Sequence, residues 1–203
     1  EVEPGVVVIG EATHGDVCIG HRGRAEVEVA ITGRAGHASV PDRAANALAL
    51  LGPVIAGIAD LAGDQPSDPV LGPSSLVATM VDVLPQSRNV IPDSAVVTVD
   101  WRILPGDDDE SLKARLTAAI AAHMPDPLPE GLAWTVRMAM EHQTTYTGLV
   151  EDRNLLTPGF LMAPDDPVVL AAAEAVGRRQ GAGAATIRPW QFATDGGWAK
   201  GVF

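Results

Sequence analysis

Residues 24–32 alternate: Ala25, Val27, Val29 and Ile31 are apolar, while Glu26, Glu28 and Thr32 are polar. A period of two sends neighbouring side chains to opposite faces, so this segment predicts a strand with one face in a core and the other in water. Val77, Thr79, Val81 and Val83 predict a second strand, and Val97, Val99, Trp101 and Ile103 a third, with Thr98, Asp100 and Arg102 on its opposite face. Trp134, Val136, Met138 and Met140 predict a fourth. Two stretches instead recur at helical spacing. Ala44, Ala47, Leu48, Leu51, Ile55, Ile58 and Leu61 mark one helix, which Pro53 is expected to kink or interrupt because its nitrogen has no hydrogen to donate. Leu112, Leu116, Ala119, Ile120 and Met124 mark the other, after the acidic run at 107–110 that suits a helix N-terminus. Residues 63–75 and 85–93 read as a loop and a turn. From residue 23 to residue 140 the order is therefore β-α-β-β-α-β, an α+β plan with an antiparallel, ferredoxin-like sheet of four strands and two helices on one side.

The flanks differ. Residues 6–9 are a β-branched run closed by Gly10, which predicts a strand buried on both faces of a parallel sheet, with Glu11 just past its end. Residues 141–164 read as a long loop. Asp165-Asp166-Pro167 supplies caps for a helix reaching about Gln180, residues 184–188 and 190–193 read as short strands, and Thr194-Asp195-Gly196-Gly197 reads as a turn. The expected organisation is a partial α/β catalytic domain in residues 1–22 and 142–203, with the α+β domain inserted at 23–141.

The chain has 203 residues, 46% hydrophobic, enough to bury a core, and carries 14 Lys and Arg against 26 Asp and Glu for a net charge of −12. With no basic run, nucleic acid is not an expected partner. One cysteine, Cys18, makes no internal disulfide, and no apolar stretch has the length of a membrane span, so no membrane partner and a cytoplasmic location are expected. The ends, opening at Glu1 without methionine and stopping at Phe203 without a terminating helix pattern, read as cut.

Candidate chemistry begins with His37, which sits among small residues in Gly33-Arg34-Ala35-Gly36-His37-Ala38-Ser39-Val40-Pro41-Asp42 and is claimed by no apolar periodicity. Ser39 and Asp42 lie close by, but no nucleophile elbow frames the serine. A satisfied turn histidine is the plain alternative. Asn89 in a turn and Arg102 on the polar face of a strand fit either ordinary turn chemistry and an ion pair or a grip on an anionic substrate and its carbonyl. Glu11 reads either as a surface carboxylate or, at the carboxyl end of a parallel strand, as a ligand-site residue. His14 and His21 match no metal spacing, and His21 reads as structural.

The ordered segments Gly10-Glu11-Ala12-Thr13, Gly20-His21-Arg22-Gly23, Gly36-His37-Ala38-Ser39-Val40-Pro41, Asn89-Val90-Ile91-Pro92-Asp93, Asp100-Trp101-Arg102 and Thr194-Asp195-Gly196 resemble the dinuclear zinc metallopeptidase family. That family includes aminoacylase, acetylornithine deacetylase, succinyl-diaminopimelate desuccinylase and carboxypeptidase G. Gly20-His21-Arg22-Gly23-Arg24, Thr145-Tyr146-Thr147-Gly148 and residues 190–194 look closest to its selenium-metabolism hydrolase branch. The resemblance implies a lid domain that also dimerises, inserted in the catalytic domain. It implies a peptidase or deacylase acting on small N-acyl amino acids or dipeptide-like substrates, with two metal ions, zinc expected and cobalt or manganese as substitutes. By the same resemblance, Glu11 is a metal ligand and His37 is the lid histidine that stabilises an oxyanion in the partner subunit's site. Asn89, Arg102, Thr194, Asp195 and Gly196 are implied to contact substrate. The family's amino-terminal ligands, its Glu-Glu pair and its last histidine ligand have no counterpart here, so the chain reads as an inactive fragment. The alternative is a non-catalytic dimerising or ligand-binding module.

Overall fold

The computed structural model describes residues 5–199; the two ends that read as cut lie outside them. The central sheet is built on β2 (Gly23–Thr32), which pairs antiparallel along its whole length with β8 (Ser94–Ile103), from Gly23 opposite Ile103 to Thr32 opposite Ser94. β6 (Ser75–Leu84) pairs with the far side of β8, and β9 (Ala133–Met138) pairs with β2 at residues 27–32. A fifth strand, β12 (Leu156–Thr157), takes the same edge of β2 at Arg24 and Ala25, where β9 has already left it. This strand comes from the segment expected to belong to the other unit. Its Leu156 packs on the central core.

The alternation in β2 and β8 does what its period demands. Ala25, Val27, Val29, Ile31, Ala95, Val97, Val99, Trp101 and Ile103 are all fully buried. They face α1 (Leu51–Gly63) and α2 (Asp109–Ala121), which contribute Val54, Ile58, Leu112, Leu116 and Ile120 to the same core. Pro53 neither kinks nor breaks α1. A 3₁₀ turn over Ala47–Leu50 precedes the helix, which starts two residues before the proline, so the missing N–H falls in a first turn where it would have no helical acceptor. Asp108 caps α2 in a reciprocal box with Ser111, as the acidic run suggests. The Ser111 backbone N–H and then its hydroxyl hold the Asp108 carboxyl below the ordinary range. That cap therefore stabilises the helix at neutral pH and is lost as pH falls through the lowered value. His123 bridges α2's end to Asp60 of α1 at 2.7 Å.

Met140, expected to close the fourth strand's apolar face, instead opens the next strand and is 60% exposed, and β6 departs from its expected face. Thr79 is an extra residue: Ala78 opposes Val99 and Met80 opposes Thr98, so the register slips by one. Leu76, Ala78, Val81 and Val83 thereby oppose the inward residues of β8, while Val77 turns outward and is 58% exposed.

The flanking segments form a second, smaller sheet. β1 (Val17–His21) pairs parallel with β14 (Ile187–Trp190) and antiparallel with β13 (Phe160–Leu161), and α3 (Pro167–Gln180) packs on it. Residues 6–9 are not the buried strand expected. No described strand pairs with them, and Val8 is 87% exposed. Residues 184–193 hold one strand where two were expected, and α4 (Gly196–Ala199) replaces the second half of the expected turn. The expected loop after residue 141 contains a hairpin, β10 (Met140–Thr144) with β11 (Val150–Asn154), held by Glu141–Arg153 and His142–Asp152 cross-strand pairs. Small ladders join β3 (Gly36–His37) to β7 (Val90–Ile91), and β4 (Ser67–Asp68) to β5 (Gly72–Pro73). Where the two sheets meet, a Cβ on Gly23 would lie 2.6 Å from the Gly159 nitrogen, so the backbones touch without side chains between them. No described helix is long and apolar enough to cross a membrane.

Gly57 lets α1 and α2 approach, since a Cβ there would sit 2.6 Å from the Ile120 Cα. Alanine gains about 1 kcal/mol of helix propensity, but the clash is with backbone and forces the helices apart, at a cost of about 1–3 kcal/mol or more. Gly57→Ala is thus expected to lower the urea unfolding midpoint; an unchanged or raised midpoint would show that the helices separate freely.

Candidate functional site

The residues singled out from the sequence fall into two groups at opposite ends of the central sheet. At the Ser94 end of β8, β3 and β7 set His37 opposite Val90, and the Ala38 N–H donates to the Asn89 carbonyl at 3.0 Å. His37 and Asn89, far apart in sequence, are thus neighbours on one exposed corner. The Ser39 backbone N–H donates to His37 Nδ1 at 3.2 Å, and the Ser39 hydroxyl is 2.7 Å from the same atom. A backbone amide can only donate, so Nδ1 is an acceptor and the neutral ring carries its hydrogen on Nε2. The Asn89 Oδ1 accepts from the Ser87 hydroxyl at 2.8 Å, and its amide nitrogen has no partner among the described residues. The corner therefore offers two neutral N–H donors. Ser39 serves His37 as an orienting group, which removes it further from the role of nucleophile.

At the other end of β8, Arg102 lines an open cleft of about 660 Å³ together with Arg22, Arg188, Leu71, Trp190 and Phe192. Asp100 accepts from Arg102 Nε at 2.8 Å and Nη2 at 3.3 Å, and also from Arg24 Nε at 2.8 Å. Arg188 Nε is paired with Asp16, and its guanidinium lies 5.3 Å from the centre of the Trp190 ring. Arg22 differs: its one partner among the described residues is the Pro73 carbonyl, at 2.5 Å. Sequence reasoning singled out Arg102 alone. Arg22 and Arg188 join it only because β1 and β14 bring distant segments to the end of β8, a juxtaposition that no local pattern encodes. Burial pushes the Cys18 thiol up, against the opposing pull of Arg188, so this cysteine stays protonated and is a poor nucleophile.

His21 ties the cleft to the Thr194 turn. It is 1% exposed, packs edge-on against Phe160 with centroids 4.8 Å apart, and its Nε2 accepts the Thr194 backbone N–H at 3.0 Å. The same reasoning as for His37 puts its hydrogen on Nδ1, which donates to the Arg22 carbonyl at 2.9 Å. The Thr194 hydroxyl lies 3.0 Å from His21 Nε2 and accepts the Gly196 N–H at 3.2 Å. Thr194 and Gly196 are therefore fastened inward, while Asp195 is exposed at the start of α4.

Glu11 is exposed on a segment without secondary structure and does not line the arginine cleft. Among the described residues no three His, Cys, Asp or Glu side chains come together as a metal cluster. One exposed carboxylate does not fit a two-metal centre, which needs several converging ligands.

A mixed sheet-and-helix unit of this kind occurs in solved peptidases and amidases. An aminopeptidase PepT from Bacillus cereus superposes with a TM-score of 0.56 at 16% identity, covering 90% of this chain and 42% of that one. A hydantoinase/carbamoylase family amidase from Burkholderia multivorans gives 0.51 at 22% identity, covering 91% of this chain and 39% of its own. Residues 19–127, more than half of the chain, match the family described as the peptidase dimerisation domain, and the chain belongs to that M20 peptidase family. YgeY of Escherichia coli (strain K12) is 27% identical over 195 residues, 96% of this chain and 46% of YgeY. Succinyl-diaminopimelate desuccinylase of Granulibacter bethesdensis is 35% identical over 130 residues, 61% of this chain and 33% of that enzyme. The chain thus spans less than half the length of these relatives.

His21→Phe keeps a ring against Phe160 and removes the acceptor for Thr194. Amide hydrogen exchange at Thr194 and Gly196 is expected to accelerate about tenfold or more while the β2 and β8 amides stay protected. Unchanged exchange at the turn would show that packing alone holds it.

Proposed function

We propose that this chain is part of a metal-dependent hydrolase that cleaves an amide or peptide bond of a small N-acyl amino acid or dipeptide-like substrate, as a cytoplasmic homodimer. The reading is supported above all by the separation of the two groups. Ser94 and Arg102 are eight residues apart on one strand, about 26 Å at roughly 3.3 Å per residue. No small substrate spans that distance, so in this reading the two groups act on one substrate only when the His37 corner of one protomer serves the arginine cleft of the other.

In this arrangement Arg102, with Arg22, holds the substrate carboxylate, and the Thr194, Asp195 and Gly196 turn flanks it. Addition of water to the scissile carbonyl puts negative charge on its oxygen. The neutral Nε2–H of the partner's His37, with the Asn89 amide beside it, donates to that oxygen and is fixed in direction by Ser39 before the charge develops. Water activation is the part expected of zinc, or of cobalt or manganese in its place. Glu11 is the one carboxylate of this chain that the reading assigns to that centre, and the described residues gather no metal-holding cluster of their own. The dimer contact fits β6, an edge strand whose outer face exposes Val77 and Met80. An open apolar edge is what a second copy of the sheet would cover.

The test is complementation in the protein extended to its natural gene boundaries. His37→Ala and Arg102→Gln homodimers should each lose about a hundredfold or more in turnover. Mixing them under conditions that exchange subunits should restore about a quarter of wild-type activity, because half the dimers then hold one intact site. Exchange verified by tagged subunits with no recovery would sink the shared-site reading.

A further inference from the structure

Arginine cleft and aromatic wall together say more about the ligand than its having a negative charge. Three guanidiniums line the cleft, and two of them are already answered by carboxylates: Arg102 by Asp100 and Arg188 by Asp16. Asp100 is shared with Arg24, which is in turn paired with Glu26. Among the described residues, Arg22 alone is paired only with a neutral carbonyl. The charge count leaves room for one carboxylate, since a second would face guanidiniums whose charge is already compensated.

Two aromatic rings line the same cleft. Trp190 and Phe192 meet edge-to-face, 5.9 Å between centroids, and Arg188 covers the Trp190 ring at 5.3 Å. Phe192 is 63% exposed, more than a ring with a purely structural task needs, and Leu71 lies on the same cleft. The indole Nε1 of Trp190 is buried and has no hydrogen-bond partner among the described residues. An exposed aromatic ring beside a guanidinium held by Asp16 and an indole is a stacking surface for another planar group.

We infer that the cleft selects a monocarboxylate bearing an aromatic ring, an N-aroyl or aromatic amino acid derivative, with Trp190 and Phe192 as the specificity-determining residues and Arg22, beside Arg102, as the partner of the carboxylate. The inference rests on the reading of this cleft as a substrate site, and it concerns binding alone. It can therefore be tested apart from hydrolysis, the dimer or any metal.

The experiment is calorimetric titration of the protein extended to its natural gene boundaries, freed of metal so that no probe is cleaved, with three probes: hippurate, which has ring and carboxylate; N-acetylglycine, which has the carboxylate alone; and N-benzoylglycinamide, which has the ring alone. Hippurate is expected to bind about tenfold more tightly than either of the others, and more weakly as salt is raised. Phe192→Leu, at an exposed position that leaves the fold intact, should remove most of the advantage of hippurate over N-acetylglycine while leaving N-acetylglycine unchanged; Trp190→Leu should do the same. Equal binding of hippurate and N-acetylglycine, or full retention of the preference in Phe192→Leu, would overturn the aromatic wall. Equal binding of hippurate and N-benzoylglycinamide, or no binding of hippurate, would overturn the carboxylate site. If hippurate binds as expected but the extended protein never hydrolyses an amide, the proposed activity fails and the binding specificity stands.

Discussion

The pairing of β2 with β8 is the constraint on which the rest of the chain depends. Ten residues of each strand are in register, and because the side chains alternate, that single register decides at once what is core and what is surface. The inward set seats both helices. The outward set includes Asp100 and Arg102, so the ion pairs beside the cleft are fixed by the same ladder that buries Trp101 between them. Trp101 itself is anchored by its indole N–H, which donates to Gln65 at 2.9 Å, and Arg115 lies 4.8 Å from its ring centre. A slip of one residue would exchange tryptophan for arginine in the core, an error large enough that the register has no near competitor.

The same ladder acts as a spacer. Because it is long and packed on one face, it keeps the His37 corner and the arginine cleft apart however the loops rearrange. Each group is assembled locally: His37 with Asn89 through the β3–β7 ladder, and the arginines through the smaller sheet. Two histidines have their tautomers set by backbone amides, one facing solvent and one sealed in the interior. The first presents a donor; the second uses its donor and acceptor to hold the Thr194 turn against the link between β1 and β2.

Much of the central sheet was legible because its signal is a simple period. β2 and β8 bury every residue that their alternation marks, and α2 begins at the cap that Asp108 announces. Elsewhere the pattern was silent or misleading for identifiable reasons. The β10–β11 hairpin is polar or exposed on both faces, so it has no apolar stripe to detect, and its register comes from Glu141–Arg153 and His142–Asp152 pairs instead. The bulge at Thr79 leaves the sequence alternation untouched while reversing the strand's faces. Residues 6–9 carry the composition of a buried strand, yet a strand is made by its neighbours, and none of the described segments pairs with them. At the site, Arg102 was visible on a polar strand face and His37 in its turn. The cleft was not visible, because residues 22, 102 and 188 are neighbours only in three dimensions.

The contact between Gly23 and Gly159 has a mechanical side. Two backbones cross there with no side chains to interlock, beside the two-residue pairing of β12 with β2. The central sheet leaves this crossing as a rigid arm, with His37 at its free end. Leverage then magnifies small adjustments: a rotation of about 10° at the crossing would swing the far end of a ten-residue strand by about 5 Å. Bulk introduced at either glycine would act on the position of a histidine it never touches.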